Sequence, residues 1–173
     1  MVDKTQFEID FKINLDSKNL NIIKAVEVGI KIEQMGRQFY ELNAKKVDPE
    51  TRQFFEFLAR EEIKHMNLLE KLRVRLLEKS GFFDLKEDRE VYKWLERVDA
   101  FKEKLSSKAT GVEPIRISME NEKKTRDYYQ KLAENIEDPE GKEFFLALAR
   151  WEGTHYELLN GILEAETEFR MET

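Results

Sequence analysis

The sequence predicts an all-α protein, an antiparallel four-helix bundle built from two copies of one helical hairpin. Three observations carry this expectation. DPETRQFFEFLAREEIKHMNLL (48–69) matches DPEGKEFFLALARWEGTHYELL (138–159) at 12 of 22 positions, at an offset of 90. Self-similarity at a fixed offset marks a duplicated supersecondary unit. Within each copy, apolar residues recur with the three–four spacing of one helix face. Only 7 Gly and 3 Pro interrupt 173 residues of which 38% are charged, a composition suited to long helices and unsuited to a β-sandwich or a disordered chain.

The elements follow in order, within one domain spanning 1–173. In the first 16 residues Phe7, Ile9, Phe11, Ile13 and Leu15 alternate with polar residues, which predicts an extended arm. That arm either lies along the bundle or pairs with its copy in a second subunit, so a homodimer or higher homo-oligomer is expected. The first hairpin is placed at 17–80, with Ser17 as a helix cap and an inward stripe of Ile23, Val26, Ile30, Glu33 and Tyr40. Asp48-Pro49 reads as the start of the second helix, because Asp caps free N–H groups and Pro suits the first helical position. Its inward stripe is Phe55, Leu58, Glu62, His65, Leu69 and Leu72.

Residues 81–113 begin at the stop signal Gly81 and are long enough to cross the length of a bundle, with a short helix expected within 89–105. The second hairpin is placed at 114–170. Pro114 is expected to open its first helix, whose stripe is Ile115, Met119, Glu122, Tyr129 and Leu132. Asp138-Pro139 opens the last helix, with Phe145, Leu148, Glu152, His155, Leu159 and Ile162 inward.

Composition narrows the function. The net charge of −6 comes from interspersed signs, leaving no basic footprint for nucleic acid. No apolar run approaches membrane-spanning length, and MVDKTQFEID lacks a signal-peptide pattern, so a cytoplasmic protein without a membrane partner is expected. The absence of cysteine excludes disulfides, thiolate nucleophiles, iron–sulfur clusters and sulfur-ligated zinc in these residues.

Each apolar stripe is broken by a glutamate, and the chain's only two histidines, His65 and His155, each follow a seam glutamate by three residues. The midpoint of Glu33 and Glu62 falls in the turn before Pro49, and that of Glu122 and Glu152 in the turn before Pro139. Members of each pair therefore lie side by side, about 22 Å from their turn at ~1.5 Å per residue, and both hairpins converge on one central point. A buried carboxylate is costly unless it is paired or bound to metal. Arg37 and Arg126 are expected to reach outward, whereas two divalent ions balance four carboxylates. An isolated Glu-x-x-His is commonly a surface pair; two in register, with partner glutamates at matching height, point to a metal site. Oxygen-rich ligation with some nitrogen suits iron or manganese better than structural zinc. Tyr40 and Tyr129 lie inward, seven residues after Glu33 and Glu122, as hydrogen-bond partners of a ligand carboxylate, redox groups or core aromatics. Phe54, Phe55, Phe144 and Phe145 read as packing, and Arg60 and Arg150 as solvated. Glu61, replaced by Trp151 in the second copy, is not expected to be a ligand.

With Glu33-x6-Tyr40, Glu62-x-x-His65, Glu122-x6-Tyr129 and Glu152-x-x-His155, the chain resembles the ferritin-like superfamily, most closely the di-iron domain of the rubrerythrins, over 18–80 and 112–165. The resemblance implies two iron ions (manganese, a mixed iron–manganese pair or zinc being the alternatives) held by Glu33, Glu62, His65, Glu122, Glu152 and His155. It implies an oxidoreductase that reacts with oxygen or hydrogen peroxide in oxidative-stress defence. The alternative is a ferritin-type protein that oxidises, handles or stores ferrous iron. Two departures stand out. Rubrerythrins carry a cysteine-ligated rubredoxin domain; without cysteine, electrons are expected from an external donor such as a separate rubredoxin-like protein. Rubrerythrins also have a further glutamate three residues after the third-helix ligand, where this chain has Thr125, so the site resembles the symmetric four-Glu, two-His centres of ferritins and bacterioferritins.

Overall fold

The computed structural model describes residues 22–83 and 112–171. They form four helices: α1 (Ile22–Ala44), α2 (Pro49–Leu77), α3 (Val112–Glu134) and α4 (Pro139–Met171). No strand occurs among the described residues. The arm at 1–16, the Ser17 cap and the short helix expected within 89–105 lie outside them.

The two hairpin turns are set by local chemistry. Asp48 accepts from the Thr51 N–H at 3.0 Å and from its hydroxyl at 2.6 Å, and the Asp48 carbonyl receives the Arg52 N–H at 2.9 Å. Asp138 repeats the cap, accepting from the Gly141 N–H at 2.8 Å. Pro49 and Pro139 occupy the first helical position, where a missing N–H loses nothing. On the third helix the start differs from expectation. α3 begins at Val112, two residues before Pro114, because proline is tolerated throughout a first turn whose N–H groups lack intrahelical partners.

The end of α2 differs too. Chain reversal falls on Lys79, at φ 58°, before Gly81, at φ 69°. The Ser80 N–H reaches the Arg75 carbonyl at 2.8 Å and the Lys79 N–H reaches that of Leu76 at 3.2 Å, the paired bonds of a Schellman end. A left-handed lysine costs about 1–2 kcal/mol. The Arg75 guanidinium offsets it by donating to the carbonyls of Ser80, Gly81 and Phe82 at 2.8, 3.2 and 3.0 Å.

α1 packs along α2 and α3 along α4, and the two hairpins meet α1 to α3 and α2 to α4. The expected stripes of α2, α3 and α4 are buried throughout. On α1, Ile23 and Ile30 are only partly buried, while Ala25, Ile32 and Phe39 fill the core. The buried face of α1 runs through Ala25, Val26, Gly29, Ile32, Glu33, Phe39 and Tyr40, turned from the expected stripe.

Phe82 and Phe83 fold back from the end of α2 onto the start of α4. Phe82 meets Phe145 edge-on at 6.4 Å, and Phe83 meets Phe144 at 5.3 Å. Gly141 makes room: a Cβ there would lie 2.6 Å from the Phe82 ring. In an open helix Gly→Ala is stabilising by about 1 kcal/mol. Here overpacking of about 1–3 kcal/mol opposes that gain and wins. Gly141→Ala is therefore expected to lower the melting temperature by a few degrees, and adding Phe82→Leu to recover it, as scanning calorimetry of the single and double variants reads directly.

Candidate metal centre

Glu33, Glu62, Glu122 and Glu152 stand near the middle of α1, α2, α3 and α4, one per helix. His65 and His155 lie one turn after the glutamates of α2 and α4. The structure brings all six together, none more than 3% exposed. Their ligand atoms form two overlapping groups, Glu33–Glu62–His65–Glu152 and Glu62–Glu122–Glu152–His155, each within a 4.8 Å span. Glu62 and Glu152 belong to both. These shared carboxylates are the ones in the Glu-x-x-His motifs, so a bound pair would share ligands from α2 and α4, while Glu33 and Glu122 would each serve one position.

Each imidazole faces three carboxylates. His65 Nδ1 lies 3.0 Å from Glu152, 3.2 Å from Glu33 and 3.6 Å from Glu62. His155 Nδ1 lies 3.4 Å from Glu122, 3.5 Å from Glu152 and 3.9 Å from Glu62. The two rings stack at 5.3 Å. Among the described residues no arginine joins the two ligand groups. Arg37 pairs with Glu41 at 2.7 Å and Arg126 with Asp127 at 3.3 Å, both on the surface, and the exposed Arg150 pairs with Glu143.

The two tyrosines tie the hairpins together through this cluster. Tyr40 of α1 donates its hydroxyl to Glu122 of α3, and Tyr129 of α3 donates to Glu33 of α1. Glutamate and tyrosine are seven residues apart on both helices, so antiparallel packing of α1 on α3 makes the two bonds reciprocal. Each bond orients a carboxylate that serves a single position. Behind them, Tyr40 rests on Phe55 at 5.5 Å and Tyr129 on Phe145 at 6.1 Å, and Phe54 and Phe144 are equally buried.

Two features of the site escaped the sequence reading. Gly29 and Gly36 bring α1 close to its neighbours: a Cβ at Gly29 would lie 3.3 Å from the Tyr129 hydroxyl, and one at Gly36 3.3 Å from the Glu62 carboxylate. Two glycines seven residues apart inside a helix, against their propensity, were the available signal. Trp151 is the second. Its ring lies parallel to that of His65, 5.1 Å away with 2° between planes. Its counterpart in the repeat, Glu61, is buried but salt-bridged to Lys64 at 2.6 Å and belongs to neither ligand group.

Burial dominates the electrostatics. It raises Glu62, helped by the Glu33 charge, and raises Glu122 to about 8, where Glu152 adds to it and His155 opposes it. Burial works against the charged form of both imidazoles, yet Glu152 and its neighbours hold His65 well above its ordinary value, and Glu122 and Glu152 hold His155 at about 9. Glu152 resists its own burial because His65 and His155 flank it, and its carboxyl is held far below the usual range. Burial also lifts both tyrosines, reinforced by Glu122 for Tyr40 and by Glu33 for Tyr129, so they stay protonated donors.

This donor set fits a metal pair. Two protonated imidazoles neutralise only half the charge of four ionised carboxylates, whereas two divalent ions with neutral histidines neutralise all of it. Oxygen and imidazole donors with no thiolate suit iron, manganese or zinc. One glutamate from each of two helices plus Glu-x-x-His from each of the others is the arrangement of ferritin-like carboxylate-bridged di-metal proteins. Fold and site together place the molecule in that class. Within it, the chain belongs to the rubrerythrin family: the family model for rubrerythrin matches residues 2–73 and, in a second overlapping match, 24–163. No curated protein and no solved structure matches the chain.

Two outcomes follow from this geometry. In chelated, metal-free protein Glu122 and His155 bind protons more tightly folded than unfolded. The stability they supply is full below their ordinary values of 4.5 and 6.5 and is lost as pH rises through about 8 and 9. The opposing dependence of Glu152 lies below its ordinary value of 4.5, outside that window. Calorimetry should therefore show the metal-free melting temperature falling steadily from about pH 6 to pH 9, and metal loading flattening the curve. A flat or rising metal-free profile would contradict this assignment. Tyr129→Phe, which frees Glu33, is expected to weaken metal binding about 10–100-fold in chelator competition while leaving helicity unchanged.

Proposed function

We propose that the protein is a di-iron oxidoreductase that reduces hydrogen peroxide or oxygen with electrons from an external donor, in defence against oxidative stress. The observation that carries this reading is the buried four-glutamate, two-histidine cluster with two carboxylates common to both positions. When bound, a redox-active ion pair supplies two electrons, which with two protons cleave hydrogen peroxide to two waters. Residues of the chain do the rest. Glu62 and Glu152 would be common to both metal positions, and Glu33 with His65 and Glu122 with His155 would complete them. Tyr40 and Tyr129 fix the single-position carboxylates, and burial excludes bulk water. Iron is the resident metal in this reading because its redox chemistry matches the oxidant, with manganese, a mixed pair or zinc as the competing occupants. A separate rubredoxin-like protein is the donor in this reading, since these 173 residues hold no cysteine to ligate an iron centre of that kind. The protein acts in the cytoplasm as a homodimer or higher homo-oligomer.

Thr125 favours a second reading, in which ferrous iron is itself the substrate. α3 offers Glu122 alone to the cluster, as in the symmetric centres of ferritin-type proteins. A storage cage of many subunits and a plain dimer differ several-fold in native mass, so one measurement separates them.

Elemental analysis of natively produced protein is expected to find about two metal ions per chain, the pair that the ligand set accommodates. Glu62→Ala with His65→Ala should remove most of that metal, and wild-type protein should consume peroxide steadily when a reductant is supplied. Metal-free native protein that stays inert to peroxide after iron loading would overturn the proposal.

A further inference from the structure

The outer face of the first hairpin carries a groove that the metal centre does not use. It encloses about 540 Å³ between the end of α1 and the first half of α2, over a floor of Ala44, Ala59 and Ile63. Lys45, Arg52 and Arg60 stand around it with Glu41 and Glu56. Glu41 is neutralised by Arg37 at 2.7 Å, which leaves three cations against one carboxylate in a protein of net charge −6. Arg52 donates its Nε to the Ala44 carbonyl at 3.0 Å, which holds its guanidinium beside the floor. Among the described residues, no acid pairs with Lys45 or Arg60. Leu42, 55% exposed, lies one turn before Lys45 on α1 and leaves an apolar side chain in water beside the cations.

The repeat shows that this charge belongs to one hairpin. In the second copy Glu134 takes the place of Lys45. Arg150, the counterpart of Arg60, pairs with Glu143 at 2.7 Å; the first copy has Gln53 in place of that glutamate, so Arg60 keeps its charge for a partner. Glu56, where the second copy has Leu146, offsets one of the cations and leaves the groove positive. The groove also lies close to the centre. Ala59, Arg60 and Ile63 flank Glu62 along α2, so this end stands at the height of the carboxylate cluster. One helix separates the two, about 10–12 Å across with its side chains.

We propose that the α1–α2 groove is the docking surface for the external electron donor, a small protein whose one-electron centre is ringed by acidic side chains. The proposal rests on the oxidoreductase reading. Carboxylates of the donor meet Lys45, Arg52 and Arg60, and an apolar contact covers Leu42 and the alanine floor. Complementary charge speeds encounter and selects the partner more than it adds affinity, which suits a donor that must leave after each transfer. Each encounter oxidises the donor by one electron and reduces the centre by one. Two encounters supply the pair of electrons that peroxide cleavage consumes.

The test uses a purified rubredoxin of net negative charge. Its binding to the protein as isolated, both partners oxidised, is read by titration calorimetry. The second-order rate at which reduced rubredoxin reduces the ferric protein is read by stopped-flow absorption. Lys45→Glu with Arg60→Glu is expected to weaken binding and slow reduction about ten-fold or more at low ionic strength. That deficit should largely vanish in ~0.5 M salt, where exposed charges are screened within a few Å. Lys131→Glu with Lys142→Glu makes the same change in net charge on the second hairpin and should match wild type. All four side chains are exposed, so both variants are expected to keep their helicity and iron content. The proposal is overturned if wild type does not bind the rubredoxin, if the Lys45/Arg60 variant behaves like wild type at low salt, or if the second-hairpin variant loses as much. Failure of the oxidoreductase reading looks different: ferric protein that dithionite cannot reduce, or reduced protein inert to hydrogen peroxide, with the calorimetric comparison still deciding the groove.

Discussion

Four carboxylates enclosed in a helical core are the constraint on which the rest of this structure depends. No hydrophobic ordering explains them: an apolar residue at each position would pack as well, and an ionised carboxylate in such surroundings is destabilising by several kcal/mol unless compensated. The compensation available among the described residues is incomplete, since Arg37 and Arg126 pair with Glu41 and Asp127. Protons or cations from outside must supply it. The raised Glu122 and His155 values describe the proton-filled form, and the two overlapping ligand groups describe the cation-filled one. Folding and metal capture are thereby linked, because the same six residues determine both.

The duplication is what makes that constraint solvable with few residues. A hairpin presents one glutamate from its first helix and a Glu-x-x-His pair from its second; two copies meeting face to face yield a closed set of six. Reciprocal tyrosine bonds convert this assembly into a specific register. A one-turn slip of α1 against α3 would leave both Tyr40 and Tyr129 buried without the carboxylates they serve. Their hydroxyls thus select the alignment that the apolar seam alone would tolerate in several versions.

Much of this is legible in the sequence because helix periodicity and repetition carry positional information. The seam positions of Glu62, His65, Glu152 and His155, the caps at Asp48 and Asp138 and the shared height of the glutamate pairs all follow from spacing along one helix or symmetry about one turn. What spacing leaves open is whatever depends on three helices at once. The turn of the α1 buried face, the approach allowed by Gly29 and Gly36 and the Trp151–His65 stack each require a neighbour whose rotation a single stripe does not specify. The end of α2 is a different case. There a lysine occupies the left-handed position that residue preference assigns to glycine, because Arg75 holds the following carbonyls in place.

Departures from the repeat are as informative as the repeat itself. A duplicated hairpin starts with two matching sets of donors, so any difference between them lies in what surrounds the ligands. The differences found here fall beside the ligands and leave the ligands alone. Trp151 stands against Glu61, and Thr125 against Gly36, within an otherwise matched framework. An indole stacks on His65, while Thr125 and Gly36 border a small space beside Glu62, Glu122 and Glu152. Asymmetry introduced next to the ligand set leaves charge balance unchanged, and charge balance is the term the fold cannot relax.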